Sequence, residues 1–553
     1  MSTESAQRQL PVNQSRPGDS TRSGTTTLYR GGSVYGATDA FATAFVVDGS
    51  QIAWIGTDDA AAGHVDGVDD VVELDGALVT PTFVDAHVHL SATGMGPRSV
   101  ELSCARSLRQ VLDTIEQTSR KRAGRPVYAP SWDEQDWPEH RPATREELDR
   151  ATYGGVVYSP RVDGHSAVIS STLAAASGAW SLPGWNDSGL VTREAHHAAR
   201  NAFYAGISAA ERRADIDAAL NAAAAAGIGL VHENGGPYLS SEADFADVLA
   251  AGQRGNGPEV IGYWAELVGD EESARALAGR LGARGLAGDL NIDGSIGSRT
   301  SSLREPYSDG EVAGNHGYPQ LSVEQVRDHV AACSLAGVQA GFHVIGDAGV
   351  DTVLAGFQAA SGLIGVAAVV AGRHRLEHLE MVDLDGIKAL VDLGVTASVQ
   401  PAFDAIWGGP EGMYSARLGR ERVARMNPFA WMHAAGMSLA LGSDTPITPF
   451  APWEAIRGCI YHHDPDQRLS GDVAFLAHTR GGWRAAGIDD RGYLGIGQPA
   501  SFALWSLGSD QRSAGRRHAG PPALPDLSPG AALPTNLRTV IRGRTVFDLE
   551  GVS

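Results

Sequence analysis

The sequence predicts an α/β fold: a (β/α)8 TIM-like barrel carrying a small composite β-sandwich formed by the N- and C-terminal segments. Three observations predict it. From about Val79, apolar strand-like runs such as "GIGLVHE", "GVQAGFHVIG" and "GVTASVQP" alternate with helix-like stretches such as "ADIDAALNAAAAAG" and "DLDGIKALVDLG". Helices closed by glycine and followed by fully apolar strands mark repeated βα units around a buried parallel sheet. About 400 residues of this texture fit one insertion-bearing barrel. Short β-rich segments also occur at both ends of the chain, as a sandwich built from both termini requires.

Taken in order, residues 1–27 are rich in Ser, Thr, Gln and Arg and read as a disordered tail. They contain three Arg and no apolar stretch, unlike a secretory signal. Residues 28–78 form the first part of the sandwich. There Val46 to Ile52 carries β-formers on both sides of an Asp48-Gly49 turn, a hairpin signal. Residues 79–493 form the barrel, with an insertion at about 91–225. Residues 494–553 return to strands, "ASFALWSL" and "LRTVIRGRTVFD", around a Pro/Gly-rich surface loop at about 509–535.

Composition bounds the function. The 553 residues hold 44 Lys+Arg against 65 Asp+Glu, a net charge of −21, which excludes a basic face for nucleic acid. Hydrophobic residues make up 43% and charged residues 20%, so a large core forms and global disorder is excluded. No apolar run approaches the ~20 residues that cross a bilayer. Cys104, Cys333 and Cys459 are too scattered for a disulfide framework or a thiolate metal site. The expectation is a cytoplasmic protein with no membrane or nucleic-acid partner.

The chemistry gathers where strand-like runs end, at the C-terminal mouth of a barrel. In "PTFVDAHVHL", His87 and His89 are two apart on an apolar strand and point to one side. Two neutral imidazoles so placed chelate Zn²⁺ or another borderline metal, and Asp85 is a carboxylate near enough to orient one of them. His343 ends "GVQAGFHVIGD", His378 ends "HRLEHLE" and Asp444 ends "MSLALGSDTP". Any one of these alone reads as a core histidine or a turn-forming Asp. Their order along the strands brings them to one site, a hydrolytic constellation of histidines and a carboxylate.

At these motifs the chain resembles the amidohydrolase superfamily, and within it the amidohydrolase family 3 branch that includes N-substituted formamide deformylases and YtcJ-like hydrolases. "PTFVDAHVHL", "SWDEQDWPEHRPATREELD", "RVDGHS", "IDGSIGSRTSSLREPY", "FHVIGDAGVDTVL", "RLEHLEMV" and "LALGSDTPITPFAPWEAI" carry the resemblance, from about residue 28 to 549. It implies a metal-dependent hydrolase of amide-type C–N bonds, acting on a small-molecule substrate, with one or two divalent ions, Zn²⁺ first among them. It gives metal-ligand roles to His87, His89, His343, His378 and Asp444, and a proton-transfer role to Asp444. His378 would also stabilise the oxyanion. The insertion would help cover the substrate, which makes Trp132, Asp133, Asp163 and His165 candidate pocket residues. His232, in "GLVHENGG", is a further candidate, and a homodimer is compatible with the resemblance.

One position departs from the family pattern. Many relatives carry a carboxylated lysine a few residues before the "DGS" motif, where this chain has Asp289. Lysine occurs only as Lys121 and Lys388, both in helix-like contexts, so no carboxylated lysine is expected. Three roles stay open for Asp289: a carboxylate bridging two ions, a neighbour of a single ion with His378 freed to polarise substrate, or a strand-end Asp bound to backbone amides. Two rival functions follow. One is a mononuclear deaminase of an amino-substituted ring, with Asp347 as the acid; the other is a non-catalytic amidohydrolase-like scaffold.

Overall fold

The structure is a computed structural model and describes residues 25–122, 124–135, 137–309, 314–507 and 523–549. Eight parallel strands build the barrel: β1 (Phe83–Val88), β2 (Ile228–Gly235), β3 (Glu259–Trp264), β4 (Gly285–Leu286), β5 (Gln339–Val344), β6 (Arg375–His378), β7 (Thr396–Val399) and β8 (Ser438–Leu441). Each pairs in parallel with the next in chain order. β1, β2, β5, β6 and β7 are buried along their whole length, which is why they read as runs rather than as alternating strands.

The first and last strands meet just beyond β8. Val88 bridges Thr445, the Asp444 N–H donates to the His87 carbonyl at 2.8 Å, and the His89 N–H donates to the Thr445 carbonyl at 3.0 Å. Gly442 permits this approach, because a Cβ there would lie 2.7 Å from the His87 nitrogen. The seam that closes the barrel therefore also positions three of the candidate ligands.

The two ends of the chain supply a pair of sheets. One orders Gln51–Gly56, Ala44–Asp48, Thr26–Arg30 and Asp70–Glu73; the other orders Ser33–Val34, Leu78–Pro81, Phe502–Ser506, Thr535–Ile541 and Arg544–Asp548. Their shared core stacks Tyr29 on Phe45 at 4.8 Å and sets Phe502 edge-on to Phe45 at 5.0 Å. Trp505 faces the other way and packs on Phe83 and Trp453, fixing the sandwich to the barrel.

Two local expectations are corrected. Leu78–Pro81 pairs antiparallel with Phe502–Ser506 in the sandwich, so the barrel begins at Phe83 rather than at 79. In the predicted hairpin Asp48 pairs with Gln51, so the turn is Gly49-Ser50, with glycine taking the positive φ of 56°. Of the expected tail and Pro/Gly-rich loop, residues 1–24 and 508–522 lie outside the described residues.

The connection from β1 to β2 forms a lobe of its own. It holds a four-stranded sheet of Leu190–Val191, Ala167–Ile169, Val157–Pro160 and Val127–Tyr128. Helices Arg145–Thr152 and Ala209–Ala225 start at full capping boxes, Thr144 with Glu147 and Ser208 with Glu211. The second of these returns the chain to the barrel. Its Asp215 carbonyl comes so close to Gly94 that a Cβ there would overlap it. Among the described residues no helix is long and apolar enough to cross a membrane.

Candidate metal centre

Every predicted ligand sits at or just beyond a strand's C-terminal end. His87 and His89 close β1, His343 is the penultimate residue of β5, and His378 ends β6. Asp289 lies three residues past β4 and Asp444 three past β8. His378 and Asp444 both have positive φ, 70° and 54°. Such backbone is uncommon outside glycine and is held only where the surroundings over-determine it.

The side chains converge. His87 Nε2 is 3.3 Å from Asp289 Oδ1 and 3.5 Å from Asp444 Oδ1. His89 Nε2 is 3.2 Å from both Asp289 Oδ2 and Asp444 Oδ1. On the other side of Asp289, His343 Nδ1 is 3.7 Å and His378 Nε2 3.9 Å from Oδ1. Three sets have ligand atoms mutually within 4.8 Å: His87, His89 and Asp289; Asp289, His343 and His378; and His87, His378 and Asp444. Asp289 is the residue shared by the first two, with one histidine pair on each side. Of the three roles left open for it, binding of backbone amides is not what its surroundings show.

The far nitrogen of each imidazole is tied down. His87 Nδ1 meets Glu377 Oε2 at 2.9 Å, His89 Nδ1 the Asn234 carbonyl at 2.9 Å, and His378 Nδ1 Gln400 Oε1 at 2.7 Å. His343 Nε2 lies 3.4 Å from the Gly294 carbonyl. All four partners are acceptors, so each ring donates outward and turns an unprotonated nitrogen to the centre, the tautomer a metal needs. Four inward atoms, His87 Nε2, His343 Nδ1, Asp289 Oδ1 and Asp444 Oδ1, are buried without a hydrogen-bond partner. Buried polar atoms are nearly always satisfied, and divalent cations held by the three ligand sets would satisfy these. The residues present fit a metal.

Electrostatics agree with that fit. Burial alone would raise the Asp289 carboxyl, but His87, His343 and His378 hold it well below the usual carboxylate range. Burial opposes charge on His89 as well, yet Asp289 and Asp444 push it up to about 10. A site this rich in paired acid and imidazole attracts protons when it holds no cation.

A cavity of about 590 Å³ opens onto His89, Asp289, His343, His378 and Asp444, walled on the lobe side by Tyr128, Tyr158, His165 and Tyr204. Of the expected pocket residues, Asp163 and His165 line it. The His165 ring is 4.9 Å from that of His343, and burial followed by His343 lowers its pKa to about 3. Asp163 is also a brace, accepting from the Ser295 and Ser298 hydroxyls and from Arg161.

The other pocket candidates are corrected. Trp132 packs in the core of the lobe and donates to the Ser159 carbonyl at 2.9 Å. Asp133 pairs with Arg161 at 2.7 Å. His232 lies behind the ligands, with Nδ1 3.0 Å from Arg375 Nη1. Asp85, expected to orient an imidazole, accepts the backbone N–H groups of Ser443 and His87 and so pins the barrel seam instead. Asp347 starts the helix Asp347–Ile364 and accepts from the Arg304 and Ala348 N–H groups, away from the cavity, so the acid that a ring deaminase requires is absent from this position.

Sequence reasoning missed Glu377, Arg375 and Gln400. A signal existed: "HRLEHLE" places Arg375 and Glu377 two apart on a strand otherwise read as buried, and buried charges come paired. Arg375 donates to Glu377 from Nε at 2.5 Å and from Nη2 at 2.9 Å.

Barrel, sandwich and a mouth of inward-turned histidines and aspartates together define a metal-dependent hydrolase. The model of the amidohydrolase family matches residues 70–547, and the chain belongs to that family. It is 25% identical to Protein LONG AFTER FAR-RED 3 of Arabidopsis thaliana, over 85% of each chain. It is 23% identical to the N-substituted formamide deformylase of Arthrobacter pascens, over 85% of this chain and 90% of that one. In fold it is similar to an uncharacterized metal-dependent hydrolase from Pyrococcus horikoshii, with a TM-score of 0.69, 22% identity, and coverage of 88% of this chain and 98% of the other.

Proposed function

We propose that the chain hydrolyses an amide-type C–N bond, that of an N-acyl or N-formyl amine, at two zinc ions held on either side of Asp289. The observation that carries this is the Asp444 carboxylate: it faces the cavity, beside His87 and His89, with a buried oxygen that no protein donor meets. His87 and His89 would hold one ion and His343 and His378 the other, with Asp289 supplying the carboxylate between the two pairs. When bound, such ions polarise a carbonyl and supply a nucleophilic water near neutral pH.

The chain's own groups do the rest. Asp444 accepts the proton of the attacking water and passes it to the departing nitrogen. His378, held at Nδ1 by Gln400, keeps Nε2 aimed at the centre where charge develops on the carbonyl oxygen; one such contact is commonly worth ~3 kcal/mol. The lobe roofs the cavity and limits water around the substrate. Among this chain's relatives the deformylase supports the reading by its named activity on N-substituted formamides.

The test is amine release from a panel of N-formyl and N-acyl amines by zinc-reconstituted protein, with and without chelator. Chelator-sensitive release is expected. Release of ammonia from aminopurines or aminopyrimidines, with none of the amides cleaved, would replace this reading with the deaminase.

A further inference from the structure

Helix Arg193–Ala205 lies along the cavity and presents His196, His197, Arg200, Asn201 and Tyr204 to it. Arg200 is half-buried and unlike the buried guanidiniums near the barrel mouth. Arg161 holds Asp133, Glu134 and Asp163; Arg375 holds Glu377; Arg417 holds Asp309 and Glu134. Arg200 has neutral partners: the Tyr158 hydroxyl at 3.2 Å from Nε, the Gly164 carbonyl at 2.9 Å from Nη2, the Tyr238 carbonyl at 3.5 Å from Nη1, and the ring nitrogens of His196 at 3.4 and 3.5 Å. None of these bonded partners carries charge; the carboxylate that acts on Arg200 is Asp289, which does so through space and belongs to the candidate metal centre. The His196 imidazole stays neutral, since burial and then Arg200 hold its pKa well below the ordinary value.

Arg200 is half-buried in the cavity wall with no carboxylate bonded to it, and a guanidinium is shaped to take a carboxylate in a two-point contact. The carboxylates that share the cavity have other roles: Asp163 is held by Arg161 and two serines, and Asp289 and Asp444 belong to the candidate metal centre. Arg200 is also coupled to the reacting end. It anchors the carbonyl of Gly164, whose neighbour His165 packs on His343.

We propose that Arg200 is a specificity residue which binds a carboxylate on the substrate, so that the enzyme's substrates are amides bearing an acid group, such as N-acyl amino acids, rather than neutral amides. This rests on the amide-hydrolase reading, but its test does not need turnover. Phenylacetate and neutral phenylacetamide are titrated by calorimetry into zinc-loaded wild type, Arg200→Gln and Arg200→Lys. Wild type is expected to bind phenylacetate about 10- to 100-fold more tightly than phenylacetamide, the range for a hydrogen-bonded charge. Arg200→Gln should erase that ratio and Arg200→Lys keep part of it. A ratio unchanged in Arg200→Gln overturns the proposal, because the carboxylate would then be held by the metal or by another group. In a parallel assay, kcat/KM for N-acetylphenylalanine is compared with that for N-acetylphenethylamine. Arg200→Gln should raise KM for the acid more than for the neutral amide, so that the acid's advantage in kcat/KM is lost. If neither amide turns over while the binding ratio behaves as expected, the reaction class fails and the carboxylate site stands.

Discussion

Glu377 Oε2 lies 2.9 Å from His87 Nδ1, and both side chains are fully buried. The same carboxylate receives two N–H groups of Arg375, whose Nη2 also donates to the Ala86 carbonyl and the Ser398 hydroxyl. A ligand of the metal centre is thus oriented by an ion pair in the floor of the barrel, and site and core are one network.

Glu377→Gln should therefore damage fold and site together. It leaves Arg375 as an uncompensated buried charge, a defect worth roughly 3–5 kcal/mol, and it weakens the outward hydrogen bond of His87, which costs 10- to 100-fold in metal affinity at comparable sites. The double variant Arg375→Met/Glu377→Gln removes the stranded charge. It should recover part of the lost stability in denaturant unfolding and none of the zinc affinity. Equal recovery of both would mean that Glu377 serves the fold alone.

How much of this network could be read from the chain follows from physical range. His87, His89, His343, His378 and Asp444 were legible because each ends a strand-like run, and a parallel barrel sends all such ends to one mouth. Asp289 was legible as a position but not as a role, since its meaning lies in distances to four histidines on three other strands. Trp132 misled because a lobe large enough to cover a site has its own core, and a tryptophan in it packs inward. Asp85 misled because spacing of two on a strand puts its carboxylate beside the His87 backbone, and the seam with Ser443 claims it. Arg200 carries no signal in sequence: its distinction is that no acid bonds to it directly, which shows only once its neighbours are known.

Asp289→Asn tests the shared carboxylate. The amide keeps the shape but loses the charge, and the two ligand sets built on Asp289 lose their common anion. The set of His87, His378 and Asp444 does not contain it. Elemental analysis after zinc reconstitution should find two ions per chain in wild type and one in Asp289→Asn, with amide hydrolysis falling ~100-fold or more. Two ions in the variant would remove Asp289 from the centre.

Asp444→Asn separates proton transfer from folding. The backbone N–H of residue 444 still donates to the His87 carbonyl, so the barrel seam is kept. Hydrolysis should drop below detection while the thermal midpoint stays close to that of wild type. Wild-type turnover in this variant would assign the proton to another group.

The last prediction concerns acid, away from the metal centre. His329 accepts the Val268 N–H at Nδ1, and its Nε2 donates to the Leu286 carbonyl; His374 accepts the Ala340 N–H at Nδ1, and its Nε2 donates to the Ser334 hydroxyl. Both rings are therefore held neutral in one tautomer, and protonating Nδ1 would break an N–H bond inside the core. Burial lowers His329 to about 4; burial and then the neighbouring His329 lower His374 to about 3. Both values lie below the ordinary 6.5, so the unfolded chain takes up protons first as the pH falls. The stability these groups allow is complete above about pH 6.5 and is lost progressively toward pH 4. Urea midpoints should fall across that window. In His374→Asn, whose Oδ1 can still accept from Ala340, the fall should be shallower, because one proton fewer is taken up on unfolding. An identical slope in wild type and variant would show that His374 is already protonated in the folded protein, against the direction in which its hydrogen bonds run.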